Sequence, residues 1–319
     1  MSRINLFALF LIPILLCGCS DNGPQRVIGQ NIFQISWSRN GSALFYTTES
    51  GICRYEVKDG RRKFYRIPDQ GLSDISSDET TVVSIDCNLM SAPRKYKIIS
   101  TNLSTNTKFQ IYSSERELEH AYWMNDNSVL FAQKRVPTRY DDNGMMVDPY
   151  SYGVANPDYL DIFLIHLGSK PTKIQSEVRN PFYARDGSSL VYIGSDDFCH
   201  LYDLKKKTNR VLGIHGLKFI RHYIHFLYLS KNLLIYNIII TDTNKRSQED
   251  RVEVLDLRNM KIQQIYLPNT ASAMELSPDL TRYWFIGEEH QDTSPQNLYL
   301  EDIPKETVQV LAAFEKSSK

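Results

Sequence analysis

A chain of 319 residues with 37 Lys+Arg against 37 Asp+Glu carries no formal net charge, so neither a basic excess marks it for nucleic acid nor an acidic excess for a disordered tail. With 42% apolar residues a sizeable core is possible, and 19 tyrosines with 14 phenylalanines suit sheets, whose pleated surfaces pack aromatic rings. The first element in chain order is a signal: Arg3 gives a cationic start, and Leu6 to Leu16 form an apolar run of 11 residues. A helix needs about 20 apolar residues to cross ~30 Å of hydrocarbon, so this run reads as a removable signal peptide and not as an anchor. Nothing after residue 19 has the pattern of a second membrane span.

The signal ends in Leu16, Cys17, Gly18 and Cys19. These four residues resemble the lipobox of bacterial lipoproteins, in which a branched apolar and a small residue precede the cysteine that is lipidated. The resemblance implies cleavage after Gly18, loss of Cys17 with residues 1 to 18, and acylation of Cys19 by chains such as palmitate. Several acyl chains at ~0.8 kcal/mol per buried methylene hold a protein on a membrane where one does not. Ser20 next to the lipidated cysteine fits the Gram-negative pattern for the outer membrane, which gives a lipoprotein of the cell envelope facing the periplasm. The remaining 301 residues hold 36 Lys+Arg and 37 Asp+Glu, since only Arg3 is lost. Residues 19 to 30, with the polar stretch SDNGPQ, read as lipidated N-terminus and tether, to which Arg26 to Gly29 could add a sheet edge. Cys53, Cys87 and Cys199 remain. An oxidising compartment permits one disulfide, with Cys53 and Cys87 the first pair to examine, and free buried thiols are the alternative.

From residue 31 the chain shows almost no helical periodicity, and one pattern recurs: a strand, a short polar turn, a β-rich strand, a variable gap, and two more short strands. The turn residues Asn40, Asp78, Asp126, Asp186, Lys231 and Asp279 are 38, 48, 60, 45 and 48 residues apart. Asn40-Gly41 and Asp186-Gly187 are hairpin turns that tolerate positive φ, so the first two strands of each copy should pair antiparallel. Spacing of roughly 40 to 50 residues suits four-stranded propeller blades, which bury their faces against one another in a ring. The stretches SRNGSALFY, ARDGSSLVYI and SPDLTRYWFI resemble the repeat of the six-bladed TolB-like propellers. The resemblance implies an all-β, six-bladed β-propeller of four-stranded antiparallel blades over residues 31 to 311, with 312 to 319 as a tail. It also implies protein binding as the commonest role.

The gaps between second and third strands are the long ones: Asn88 to Arg94, Arg135 to Tyr159, Thr241 to Asp250, and Glu288 to Gln296. In a propeller these share one face with the connections between blades, and long loops on a rigid scaffold are where binding resides. The third copy's insertion places Arg135, Arg139, Tyr140, Asp141, Asp142, Tyr150, Tyr152 and Tyr159 close together in sequence, and Tyr and Arg are frequent interface anchors. Asp141-Asp142-Asn143-Gly144 lacks the ligand spacing of an EF-hand, so no metal is expected. His120, His200, His215, His222, His225 and His290 are scattered, with His222 and His225 three apart in a strand and so on opposite faces. No nucleophile elbow, zinc-protease motif or P-loop is present, and no catalytic residue or cofactor is assigned. The sequence therefore points to a monomeric, membrane-anchored scaffold for an envelope protein partner, without nucleic acid. The alternatives are a polysaccharide lyase or hydrolase and a glycan-binding ring, each with its site at the channel mouth.

Overall fold

The computed structural model describes residues 25–28, 35–48, 51–67, 72–88, 95–124, 127–136, 139–140, 146–147, 159–215, 222–242, 247–265, 274–288, 296–302 and 307–315. The chain is all-β over these residues, with every sheet built mainly of antiparallel neighbours. The first meander unit is β2 (Ile35–Trp37), β3 (Ala43–Thr48), β4 (Gly51–Glu56) and β5 (Arg62–Tyr65), paired in that order. The second is β6 (Asp74–Ile75), β7 (Thr81–Asn88), β8 (Lys95–Asn102) and β9 (Lys108–Ser114). The third starts with β10 (Leu118–Trp123), β11 (Ser128–Lys134) and β14 (Leu160–His166). It ends in the first half of β15 (Thr172–Tyr183), whose second half opens the fourth unit with β16 (Ser189–Ile193), β17 (Phe198–Asp203) and β18 (Thr208–His215). The fifth is β19 (His222–Leu229), β20 (Leu233–Asp242), β21 (Ser247–Asp256) and β22 (Lys261–Ile265). The sixth is β23 (Met274–Leu276), β24 (Arg282–Glu288), β25 (Gln296–Asp302) and β26 (Thr307–Glu315). A fifth strand, β1 (Gln25–Ile28), adds to β26 in parallel, so the edge that Arg26 and its neighbours could supply is formed.

Two expectations need correction. The fourth strand of the third copy and the first of the fourth are one continuous strand, β15, because no glycine interrupts TKIQSEVRNPFY; two bulges with Glu177 at φ 59° and Asn180 at φ 47° turn it from one sheet into the next. The expected loop Thr241 to Asp250 is largely strand: β20 and β21 pair for ten residues, from Leu233 opposite Asp256 to Asp242 opposite Ser247. The β-branched run IIIT continues the ladder with no glycine or proline to stop it.

The tight turns between first and second strands share one design. Ser38, Ser76 and Ser277 donate to Asn40, Asp78 and Asp279 two residues on, at 2.8, 2.6 and 2.5 Å, and their hydroxyls accept the N–H of Ala43, Thr81 and Arg282. The next position is left-handed in each, with Gly41 at φ 72°, Gly187 at 70°, Glu79 at 58°, Asn127 at 60° and Leu280 at 60°. The apolar residues of the strands form cores between successive units. Phe45 and Ile52 pack with Ile75 and Val82 between the first and second, and Ile193 and Cys199 pack with Phe226 and Tyr236 between the fourth and fifth. A further core joins the last unit to the first through Trp37, Tyr46 and Leu300, with Trp284 packed against it. Cys53 lies in that core, Cys199 in the core of the fourth and fifth units, and Cys87 packs against the core of the second and third. None of the three is in a disulfide, so Cys53 and Cys87 are not bonded to each other.

Candidate functional site: an axial ion cluster and a clamped insertion

The first strands of the units meet along a common line, and their polar residues fall in matching positions. Two residues before each turn serine, or its equivalent, stand Ser36, Asp74, Tyr122 and Glu275, and one residue after it stand Arg39 and Arg185. Arg185 is the hub. Its Nη1 donates to Asp74 Oδ1 at 2.7 Å and to Ser36 Oγ at 3.0 Å, while Nε and Nη2 donate to Glu275 Oε1 at 2.9 and 2.6 Å. Ser36 Oγ donates in turn to Asp74 Oδ1 at 3.0 Å, and the backbone N–H of Trp123 donates to Asp74 Oδ2 at 2.9 Å. Arg39 donates to the carbonyl oxygens of Arg185 and Trp123, joining the first unit to the fourth and third. Trp37 Nε1 donates to the Glu275 carbonyl at 3.3 Å.

The charges are deeply placed: the side chains of Asp74, Glu275 and Arg185 are 5%, 12% and 16% exposed. Burial opposes the charge on Arg185, but Glu275 and Asp74 outweigh it and raise the guanidinium pKa. Burial pushes the Glu275 carboxyl above the usual carboxylate range, against the pull of Arg185. Burial and the neighbouring Tyr122, 4.2 Å away between ring centroids, push the Tyr183 phenol well above its ordinary value. Beside the cluster lies a cavity of about 10 Å³ lined by Arg39, Tyr122, Trp123, Met124, Tyr183 and their neighbours, with room for about one water-sized group. Asp74, Arg185 and Glu275 are thus already satisfied by one another, and the cluster ties together first strands up to 238 residues apart in sequence. Among the described residues no group of three or more His, Cys, Asp or Glu side chains is placed to hold a metal ion.

The third unit's insertion has a different construction. Arg135 donates its backbone N–H to the Tyr159 carbonyl at 3.2 Å, which closes the two ends of the insertion. Its side chain pairs with Glu177 at 2.6 Å and lies 3.5 Å from Asp161, which Lys173 also holds at 2.5 Å. Tyr159 is buried, with the Arg179 guanidinium 5.4 Å from its ring centroid. Arg135 and Tyr159 therefore form the base of the insertion. Between them β12 (Arg139–Tyr140) pairs antiparallel with β13 (Met146–Val147), Arg139 opposite Val147 and Tyr140 opposite Met146. Asp141, Asp142, Tyr150 and Tyr152, like residues 1 to 19, lie outside the described residues.

Among the described histidines, His200 has a developed setting. Its Nε2 lies 2.8 Å from Asp196 Oδ1, its Nδ1 3.0 Å from Asn209 Nδ2, and its ring stacks on Tyr192 at 5.2 Å. Gly194 is required there, since a Cβ would come within 2.7 Å of both Asp196 Oδ1 and His200 Nε2. His222 and His225 both lie in β19. Reading the sequence for motifs along the chain misses the axial cluster; the signal for it runs down the aligned repeats, where strand positions facing a shared line are polar in three copies.

No protein-family model and no curated protein sequence matches the chain. Solved structures do. Oligogalacturonate lyase from Vibrio parahaemolyticus is 15% identical, with a TM-score of 0.56 over 86% of this chain and 78% of that one. TolB from Acinetobacter baumannii is 12% identical, with a TM-score of 0.51 over 92% and 75%. The β-propeller domain of the trilobed protease from Pyrococcus furiosus is 12% identical, with a TM-score of 0.50 over 88% and 84%. At these identities the likeness concerns the fold, and the fold it shows is a TolB-like, all-β propeller architecture.

Proposed function

We propose that the chain is a cell-envelope lipoprotein whose six four-stranded units close into a six-bladed ring and bind a protein partner through the end that carries the insertion. The contact of the last unit with the first, and of the first with the fourth across the axis, supports the ring. Lipidation at Cys19, a periplasm-facing position and the outer membrane follow from the lipobox resemblance. The observation that carries the binding reading is the clamped base of the insertion. Arg135, Asp161, Glu177 and Tyr159 fix both ends of the insertion, within which β12 and β13 pair, to rigid strands, the construction expected of a recognition loop. The axial cluster supports it from the other side, because acids and bases bound to one another in so small a cavity are not free for proton transfer. Arg139, Tyr140, Asp141, Asp142, Tyr150 and Tyr152 are the proposed contact residues.

The test is in-cell crosslinking followed by mass spectrometry, with the chain intact or lacking Asp141 to Ser151. The deletion is expected to abolish capture of the partner while leaving the β-sheet circular dichroism and melting unchanged, since it removes the tip and keeps Arg135 and Tyr159. Undiminished capture would reject the insertion as the recognition element. The fold shared with an oligogalacturonate lyase and the carboxylates on the axis favour one second reading, an enzyme acting on an acidic polysaccharide. Appearance of unsaturated product from oligogalacturonate would establish that reading in place of the first.

A further inference from the structure

In an up-and-down meander the turn after the first strand and the turn after the third lie at the same end. The contacts of Ser36, Asp74, Arg185 and Glu275 at matching positions set the first strands of four units level with one another, so their turn ends coincide. The third-to-fourth-strand turns at this end have a common chemistry. Among the described residues, the large apolar side chains exposed to solvent are Phe64, Phe109, Leu167, Val211, Met260 and Ile262, and each lies within four residues of such a turn. Each also has an exposed cation beside it or within three residues: Lys63, Lys108, Lys170, Arg210 and Lys261. The fourth unit adds the exposed run Lys205-Lys206-Lys207. The carboxylates of these turns are already engaged, Asp59 with Arg61 at 2.7 Å, Asp203 with Lys206 at 3.6 Å and Asp256 with Arg258 at 2.7 Å. The first-to-second-strand turns at this end add the carboxylates Asp78, Glu79, Asp186 and Asp279, fewer than the cations of the third-to-fourth-strand turns, so a chain with no net charge still concentrates cations here, interleaved with exposed apolar groups.

We propose that this turn end docks on an anionic phospholipid surface, its cations meeting headgroup phosphates and its exposed apolar side chains entering the interface between headgroups and acyl chains. A soluble polyanion would use the cations and leave Phe109, Val211 and Ile262 without a role; a bilayer surface uses both. The N-terminal strand agrees with this orientation. β1 runs parallel to β26 from Gln25 opposite Ala312 to Ile28 opposite Glu315, away from the turn end, so Gln25 is its residue nearest the turn side. Cys19 precedes Gln25 by six residues, a reach of at most about 20 Å. Docked in this way, the molecule presents the insertion away from the membrane. The envelope setting rests on the reading given above, whereas the docking itself is independent of the lipid.

The experiment uses the chain lacking residues 1 to 18 with Cys19→Ser, sedimented with vesicles of phosphatidylcholine alone or mixed with phosphatidylglycerol. Partition onto the anionic vesicles is expected to be at least tenfold stronger and to weaken as salt is raised. Lys205→Glu with Lys206→Glu and Lys207→Glu, all exposed, should cost a further tenfold, and Phe109→Ser with Ile262→Ser should cost severalfold, with circular dichroism confirming that each variant is folded. Equal partition onto both vesicle types, or indifference to both sets of substitutions, would overturn the proposal. Displacement by soluble polygalacturonate of a binding that ignores Phe109→Ser and Ile262→Ser would also overturn it, in favour of an acidic glycan. Deleting Asp141 to Ser151 should leave vesicle binding unchanged, so failure of the partner reading and failure of the docking are separately visible.

Discussion

At the scale of single residues, Arg185 has the most exacting role. One guanidinium bridges two buried carboxylates from different units, and a buried ion cluster of this kind contributes little net stability over an apolar replacement but is costly to break on one side. Arg185→Met should therefore lower unfolding stability by about 3–5 kcal/mol, because Asp74 and Glu275 are left charged and unpaired. Adding Asp74→Asn and Glu275→Gln should return a large part of that loss, because no buried carboxylate of the cluster is then left without its counter-ion. Urea denaturation of the two variants decides it: a single variant with the parental midpoint would show that the cluster is not coupled to folding. Arg185 was visible in the sequence as part of ARDG, but only as a turn residue. What a side chain in a repeated turn reaches depends on which other copies face it, and that local pattern does not carry.

At the scale of elements, the left-handed turn position shows how far repetition can drift while geometry persists. Glycine holds it in two copies, and Glu79, Asn127 and Leu280 hold it in three others. Glu79 compensates by pairing with Arg54 of the first unit at 2.6 Å, and Leu280 by packing on the core of the fifth and sixth units. Gly41 does two things at once, since its φ is 72° and an added Cβ would stand 3.1 Å from Pro278 Cδ in the sixth unit. Gly213 has φ 71° with nothing within 4 Å of its Cβ position, which isolates the backbone cost. Gly213→Ala should lose roughly 1 kcal/mol, and Gly41→Ala about 1 kcal/mol more. Equal losses by thermal or chemical unfolding would remove the contact between first and last units from the account. The meanders themselves were legible, because turn chemistry at near-regular spacing leaves few other arrangements. The fused strand β15 and the long β20 and β21 hairpin were not: Pro181 stands inside β15 without ending it, and β20 and β21 hold no glycine or proline to mark a boundary, so strand length is set by pairing rather than by any local stop.

At the scale of the whole molecule, the two ends differ in kind. One gathers long connections and the clamped insertion; the other gathers tight turns, cations and exposed apolar groups. Composition concealed this, since balanced totals say nothing about where the charges stand, and only the strand order assigns each turn to an end. The polarity gives the proposed lipid and the proposed docking surface separable signatures on native membranes. Electrostatic attachment weakens as the Debye length falls from about 8 Å at physiological salt to about 3 Å at 1 M, whereas acyl chains are indifferent to salt. The parental chain should therefore stay in the membrane fraction through a high-salt wash. Cys19→Ala should remain partly bound at low salt and leave at high salt, because the turn end alone would hold it. Release of the parental chain by salt would exclude the lipid anchor. Retention of Cys19→Ala after the same wash would require an attachment that neither the signal sequence nor the turn end provides.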